Sequence, residues 1–311
     1  MRRKGLCCSG RHGWIGIVAG VLASLYAAHG GKLQGDKPVQ PFEVEVQGEG
    51  PAVVLIPGLN STGEVWKGTV ERLRESHQCH LLTLAGFGGV PAADGPFLST
   101  VRDGILRYID AEGLEKPVIV GHSLGGLLAF SVAAAAPNAV SGVVSVDGVP
   151  FLPALLQPGA SVESIRPQAE AMRDFLSSAG ADQLAQQARS AGLATGAASL
   201  DLLARMAAKS DPEASAEAVY EVMTTDLRPE VAKIQAPALL IAAGAGAQTP
   251  EAREQLMERY ESQIRPLPDH RVVLAEGARH FVMLDSPESF YDTLRSFLDG
   301  LPKPSPLPEA P

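Results

Sequence analysis

Six residues, Gly121-His122-Ser123-Leu124-Gly125-Gly126, constrain the fold of this chain more than any other stretch. A mostly apolar, β-branched run, Lys116-Pro117-Val118-Ile119-Val120, leads into them, and Leu127-Leu128-Ala129-Phe130 opens an Ala-rich helical stretch beyond them. A strand must therefore become a helix within a few residues, with a serine at the apex. So tight a turn needs glycine on both sides, because a Cβ there would run into the neighbouring strand or helix. The serine backbone is strained and its hydroxyl stands clear of the sheet. The helix that starts at once presents unpaired N–H groups, and the positive end of its dipole, to any oxyanion that develops beside that hydroxyl.

The rest of the chain supplies a sheet for this turn. Phe42-Glu43-Val44-Glu45-Val46 alternates apolar and polar, as a half-buried strand does. Residues 52–56 form a continuous apolar run, expected of a parallel strand covered on both faces, and end at Pro57-Gly58-Leu59-Asn60. A helix is predicted over 62–76 and a strand over 79–84, closing into Ala85-Gly86-Phe87-Gly88-Gly89. A second helix covers 99–112 with Ser99 as its N-cap, and the strand at 142–146 ends at Asp147. Alternation at this spacing predicts the α/β class, with a doubly wound, mostly parallel sheet. From 150 to 233 the strand signal stops, and Ala, Gln, Glu, Arg and Leu dominate between breaks at Pro158-Gly159, Gly180, Gly192, Gly196 and Asp211-Pro212. This segment reads as an inserted helical cap. A strand then follows at 237–241, a helix from Pro250, a strand at 271–275 and a helix at 287–298. The expected division is a core of residues 35–149 and 234–299, a cap at 150–233 and a Pro-rich tail at 300–311.

Residues 1–34 stand apart. Arg2, Arg3, Lys4 and Arg11 precede an uncharged, mostly apolar stretch at 14–28, which reads as an export signal to the periplasm or beyond. The stretch is short for a membrane span. Leu25-Tyr26-Ala27-Ala28 fits a small-x-small cleavage site only loosely, so an uncleaved anchor over 14–28 stays open, and membrane contact is expected through this segment alone. Cys7 and Cys8 lie in the leader, leaving Cys79 as a lone, buried thiol with no internal disulfide. The formal net charge of −9 argues against a nucleic-acid partner held through phosphates. With 45% hydrophobic residues, 311 residues are enough for a large core.

Taken together, these segments resemble the α/β-hydrolase fold family, in particular its cap-bearing serine hydrolases and esterases. Four features carry the resemblance across residues 42–299, in order: Ile56-Pro57-Gly58-Leu59, Gly86-Phe87-Gly88, the Ser123 turn, and Gly277-Ala278-Arg279-His280-Phe281. The resemblance implies Ser123 as nucleophile and His280 as its base; a serine hydroxyl needs such a base at neutral pH. It also implies an oxyanion hole from the backbone N–H groups of Leu59 and Leu124. The acid departs from the commonest pattern, because the loop Ala243-Gly244-Ala245-Gly246-Ala247-Gln248-Thr249-Pro250 holds no carboxylate. Haloalkane dehalogenase-like members carry the acid one strand earlier, and Asp147 matches that place. Asp226 is a weaker candidate, and a Ser–His dyad without an acid is a third arrangement. His122 is read as packing, as is Trp66.

The implied activity is hydrolysis of carboxylic esters of small or medium apolar acyl groups through an acyl-enzyme. The substrate is a small molecule. No cofactor is implied, and His and carboxylates do not cluster at metal-ligand spacing. Phe87, Leu59, Phe151, Leu152, Leu155, Leu156 and Met172 either line a pocket under the cap or belong to ordinary core. Two related activities stay open: an aminopeptidase, with Glu163, Glu170, Asp174, Glu217 or Glu221 holding a substrate ammonium, and a C–C bond hydrolase. A dehalogenase is disfavoured because Ser123 stands where its nucleophilic Asp would be. The reading from another class is a non-catalytic binding protein on this fold.

Overall fold

Seven strands of five to seven residues, most of them largely apolar, meet in one sheet. In chain order the strands are β1 (Phe42–Gln47), β2 (Ala52–Ile56), β3 (Gln78–Leu84), β4 (Val118–His122), β5 (Gly142–Val146), β6 (Ala238–Ala243) and β7 (His270–Ala275). Their spatial order is β1-β3-β2-β4-β5-β6-β7. Only the β1–β3 pair is antiparallel. The computed structural model describes residues 40–302. The expected export leader, and the Pro-rich tail from 303 onward, lie outside the described residues.

The helices are α1 (Lys67–Leu73), which continues a 3-10 turn at Gly63–Trp66, α2 (Phe97–Ala111) and α3 (Leu124–Ala135). Between β5 and β6 come α4 (Leu152–Leu156), α5 (Val162–Ser177), α6 (Ala181–Ser190), α7 (Ala197–Ala207) and α8 (Pro212–Thr224). The chain closes with α9 (Pro250–Ile264), α10 (Val282–Asp285) and α11 (Pro287–Gly300). Successive strand residues face opposite ways, so every strand but the edge strand β1 feeds two cores. Val54, Ile56, Ile119 and Val143 pack with α2, α3 and α9. Val53, Leu55, Val120 and Val144 pack with α1 and α11. Trp66 is fully buried against Phe290 in the second core. The strands β4 and β5 are buried along their whole length, as parallel strands covered on both faces must be. Cys79 is buried at the start of β3, and burial pushes its thiol up to about 11.

The inserted helices carry small cores of their own, with Ile165 and Ala169 of α5 against Met223 of α8. They also correct one expectation about the main body. Helix α2 begins at Phe97, not at Ser99, and its cap is not local. Glu221 of α8 accepts from the N–H groups of Phe97 (2.6 Å) and Leu98 (2.8 Å). A carboxylate at a helix N-terminus satisfies orphan donors and meets the positive end of the dipole. Ser99 hydroxyl instead turns back to the Pro96 carbonyl.

Candidate active site

The Ser123 turn closes because glycine removes two collisions. A Cβ on Gly121 would lie 1.9 Å from the Gly125 carbonyl oxygen, and one on Gly125 would lie 2.3 Å from that of Ile56. Ser123 itself takes φ 54, ψ −116, a strained conformation for a residue with a side chain, costing on the order of 1–3 kcal/mol. Its neighbours hold that strain. Ser123 N–H donates to the Val146 carbonyl (2.9 Å), and its carbonyl accepts from the N–H groups of Gly126 (2.9 Å) and Leu127 (3.1 Å).

Asp147 follows β5, also at positive φ (50). Its N–H donates to the Ile241 carbonyl (2.8 Å), and Ser145 hydroxyl braces the same bend through the Gly148 carbonyl (2.7 Å). His280 Nδ1 lies 2.6 Å from Asp147 Oδ2. The other carboxylate oxygen accepts from the Tyr260 hydroxyl (2.5 Å) and the Ala243 N–H (2.9 Å). Burial works against the charge on Asp147, but the bonds from His280, Tyr260 and Ala243 outweigh it and hold the carboxyl below its ordinary range. Tyr260 moves the opposite way. Burial, with the Asp147 charge beside it, raises its phenol well above the usual value, so it stays a donor.

With Nδ1 engaged, His280 has Nε2 left for proton exchange. Its ring packs against that of His122, tilted by 51° with centroids 4.6 Å apart, and its carbonyl accepts from His122 Nε2 (3.0 Å). His122 is fully buried, and burial, then the neighbouring His280, push its pKa down to about 3. It is neutral at working pH and cannot compete for the proton. Its sequence reading as packing holds only in part, since it also ties the His280 backbone to the residue before the serine. Among the described residues the Ser123 hydroxyl makes no hydrogen bond; such contacts often tighten only with substrate present.

The loop after β2 lies against the serine: a Cβ on Gly58 would come 3.2 Å from Ser123 Cβ. Neither Leu59 N–H nor Leu124 N–H has a protein acceptor among the described residues. The inserted helices hold this loop and the next. Ser215 hydroxyl donates to Asn60 Oδ1 (2.5 Å), and Asp211 N–H to the Gly86 carbonyl (2.7 Å).

Other candidates are placed elsewhere. Asp226 is bound to Arg228 through its N–H, Nε and Nη2 (3.0, 2.9 and 2.5 Å), not to His280. Glu221 caps α2, and Asp174 and Glu217 lie 3.6 and 3.9 Å from Arg173. Glu163 and Glu170 sit on the exposed face of α5. Of the apolar side chains read as a pocket lining, Phe87 is core beside Phe97, and Phe151 is core beneath the Arg228 guanidinium. Leu155 is core as well. Leu156 and Met172 face solvent, 65% and 39% exposed. Leu59 and Leu152 lie at the core boundary. Tyr260 went unread in the sequence because nothing local marks it. It is 113 residues from Asp147 on a mostly polar helix. Among the described residues, no group of three or more His, Cys, Asp or Glu side chains is placed to share a metal ion. No helix among them is long and apolar enough to cross a membrane.

A seven-stranded, mostly parallel sheet with a strained serine turn and helices inserted after β5 defines an enzyme of the α/β hydrolase class. Residues 53–293 match the profile of the Alpha/beta hydrolase family, and the chain belongs to that family. It is similar to the pimeloyl-[acyl-carrier protein] methyl ester esterase of Vibrio campbellii, at 36% identity over 103 residues. That stretch covers 33% of this chain and 39% of the relative, so the match spans about two fifths of its length. The protein of the same name from Edwardsiella ictaluri is 27% identical over 262 residues, covering 80% of this chain and 93% of its own. In structure the chain resembles the enol-lactonase from Burkholderia xenovorans LB400, with a TM-score of 0.66, 21% identity, and coverage of 83% of this chain and 96% of that one. That likeness is one of fold.

Proposed function

We propose that this enzyme hydrolyses carboxylic esters through an acyl-enzyme, with Ser123, His280 and Asp147 as nucleophile, base and acid. The observation that carries the reading is the 2.6 Å pairing of Asp147 with His280 at the sheet edge that also bears the Ser123 turn. Ser123 Oγ attacks the ester carbonyl carbon while His280 Nε2 takes its proton. The Leu59 and Leu124 N–H groups receive the oxyanion; losing one such donor typically costs about 2.7–4 kcal/mol of transition-state stabilisation. Asp147 keeps the imidazole in the right tautomer and stabilises the imidazolium. The tetrahedral adduct collapses, the C–O bond to the alcohol breaks, and the imidazolium gives its proton to the leaving oxygen. Water, deprotonated by the same imidazole, then releases the acid and restores Ser123.

The esterase names of the sequence relatives favour an ester over an amide or a C–C bond. The commitment of Glu221 to α2 takes away one anchor for a substrate ammonium. The acyl group in this proposal is small or medium and apolar, beside the half-buried Leu59. The basic, then apolar, leader supports export to the periplasm or beyond, with 14–28 as the anchor where it stays uncleaved. The test is a panel of p-nitrophenyl esters of graded chain length beside aminoacyl anilides, with labelling by a fluorophosphonate probe. Ester turnover and labelling, both lost in Ser123→Ala, are expected. Anilide cleavage with negligible ester turnover overturns the substrate class, and a native chain inert to probe and substrates favours the binding protein.

A further inference from the structure

The turn that carries His280 is held from a second direction, one that the mechanism above leaves unused. Asp285 closes α10, five residues past the imidazole. Its Oδ1 accepts from the Thr195 N–H (2.8 Å) and the Thr195 hydroxyl (2.9 Å), and its Oδ2 accepts from the Arg279 N–H (2.9 Å). Thr195 belongs to the connector between α6 and α7, within the inserted helices, and Arg279 immediately precedes His280. Two more bonds run along this seam. Arg279 Nη1 donates to the Gly192 carbonyl (3.1 Å), and Phe281 N–H donates to the Leu193 carbonyl (3.1 Å). Both residues flanking the imidazole are therefore bonded to the connector, and one carboxylate bridges the two segments.

The chemistry suits a clamp. Hydrogen bonds to a carboxylate are roughly twice as strong as neutral ones, and two oxygens with three donors fix a direction as well as a distance. The His280 turn needs such help because loops are the mobile parts of a fold, and a base displaced by about 1 Å can lose on the order of a hundredfold in rate.

From this geometry we propose that Asp285 is a positioning residue. Through the 191–196 connector it sets the His280 turn at the place where the Asp147–His280 pair works, so that seating of the inserted helices and placing of the base are one event. The proposal rests on the serine-hydrolase reading above.

Two variants test it. Asp285→Asn keeps the shape but turns a donor toward a donor, and Thr195→Val keeps the shape and removes only the hydroxyl. Rates are measured per site titrated with the fluorophosphonate probe, so that misfolded protein does not count. In Asp285→Asn, kcat per titrated site is expected to fall by about 10–100-fold, with KM within about threefold. Thr195→Val, which keeps the test alive where Asp285→Asn does not fold, should fall by about 3–10-fold. The double variant should be no slower than Asp285→Asn alone, because both changes break one seam. Unchanged kcat per site with only a lower Tm makes Asp285 a structural staple and overturns the proposal. Losses that multiply in the double variant separate the connector from the base and overturn it too. A native chain that does not label refutes the serine-hydrolase reading before any variant is compared, and the proposal falls with it.

Discussion

The loops that follow β5 and β6 are neighbours at the same sheet edge, yet they supply opposite things. The β5 loop presents a carboxylate, Asp147, to His280. The β6 side has no carboxylate in Ala243 to Pro250, and Ala243, the last residue of β6, offers its N–H to that same Asp147 instead. Helix α9, which follows it, adds the Tyr260 hydroxyl. One loop provides the charge and the other the donors that keep it charged in a buried place. The β6 side, which holds no acid of its own, thus supports the acid that β5 presents.

Asp147→Asn should break this division of labour most severely. A drop in kcat of about 10³–10⁴ is expected from steady-state ester hydrolysis, with KM nearly unchanged. Turnover equal to native protein would move the acid elsewhere. The comparison sharpens if the charge is moved across. A Cβ on Gly246 meets no atom within 4 Å, and Gly246 is not at positive φ. Adding Gly246→Asp to Asp147→Asn should recover about tenfold in kcat if either strand can present the acid; no recovery would tie the imidazole to the β5 side alone.

The smallest effect tests the supporting donors. Tyr260→Phe should lower kcat by about 3–10-fold, one hydrogen bond to a charged group being worth about 1.5–3 kcal/mol in stability and part of that in orientation. Its signature is in pH. The folded Asp147 carboxyl titrates below its ordinary 3.8, so its charge adds stability that is fully present above that value and lost as pH falls through the depressed one. The stability gap between native protein and Tyr260→Phe should therefore be full at neutral pH and narrow only as pH falls below 3.8 toward the depressed value, as urea titrations at several pH values would show. A gap independent of pH would mean that Tyr260 packs rather than supports the charge.

Much of this molecule was legible where the physics is local. The serine turn was readable because glycines at 121 and 125 are the residues that let a strand enter a helix without collision. The doubly wound sheet followed from apolar runs separated by helical ones. Asp147 was readable as the last residue before Gly148 at a strand end, but that His280 pairs with Asp147, while Asp226 pairs with Arg228, is seen only in the fold. Sequence reasoning failed where a partner lies far along the chain. Ser99 is a good N-cap by residue type, but Glu221, over 120 residues away, holds the N-terminus of α2. Leu156 ends the short helix α4 and Met172 lies within the long helix α5; both are apolar, yet nothing local says that these positions face solvent.

The family resemblance implied Ser123, Asp147 and His280 as one set; the chain by itself determined that the Ser123 backbone would be strained and which runs would become strands. Those outcomes depend on φ, on periodicity and on the residue types beside each turn. Only the folded molecule decided how they are held: Tyr260 and Ala243 on Asp147, His122 on the His280 carbonyl, and Asp285 between the His280 turn and the inserted helices. These are hydrogen bonds or contacts between segments that meet only after the sheet has ordered them, and no local preference encodes such a meeting.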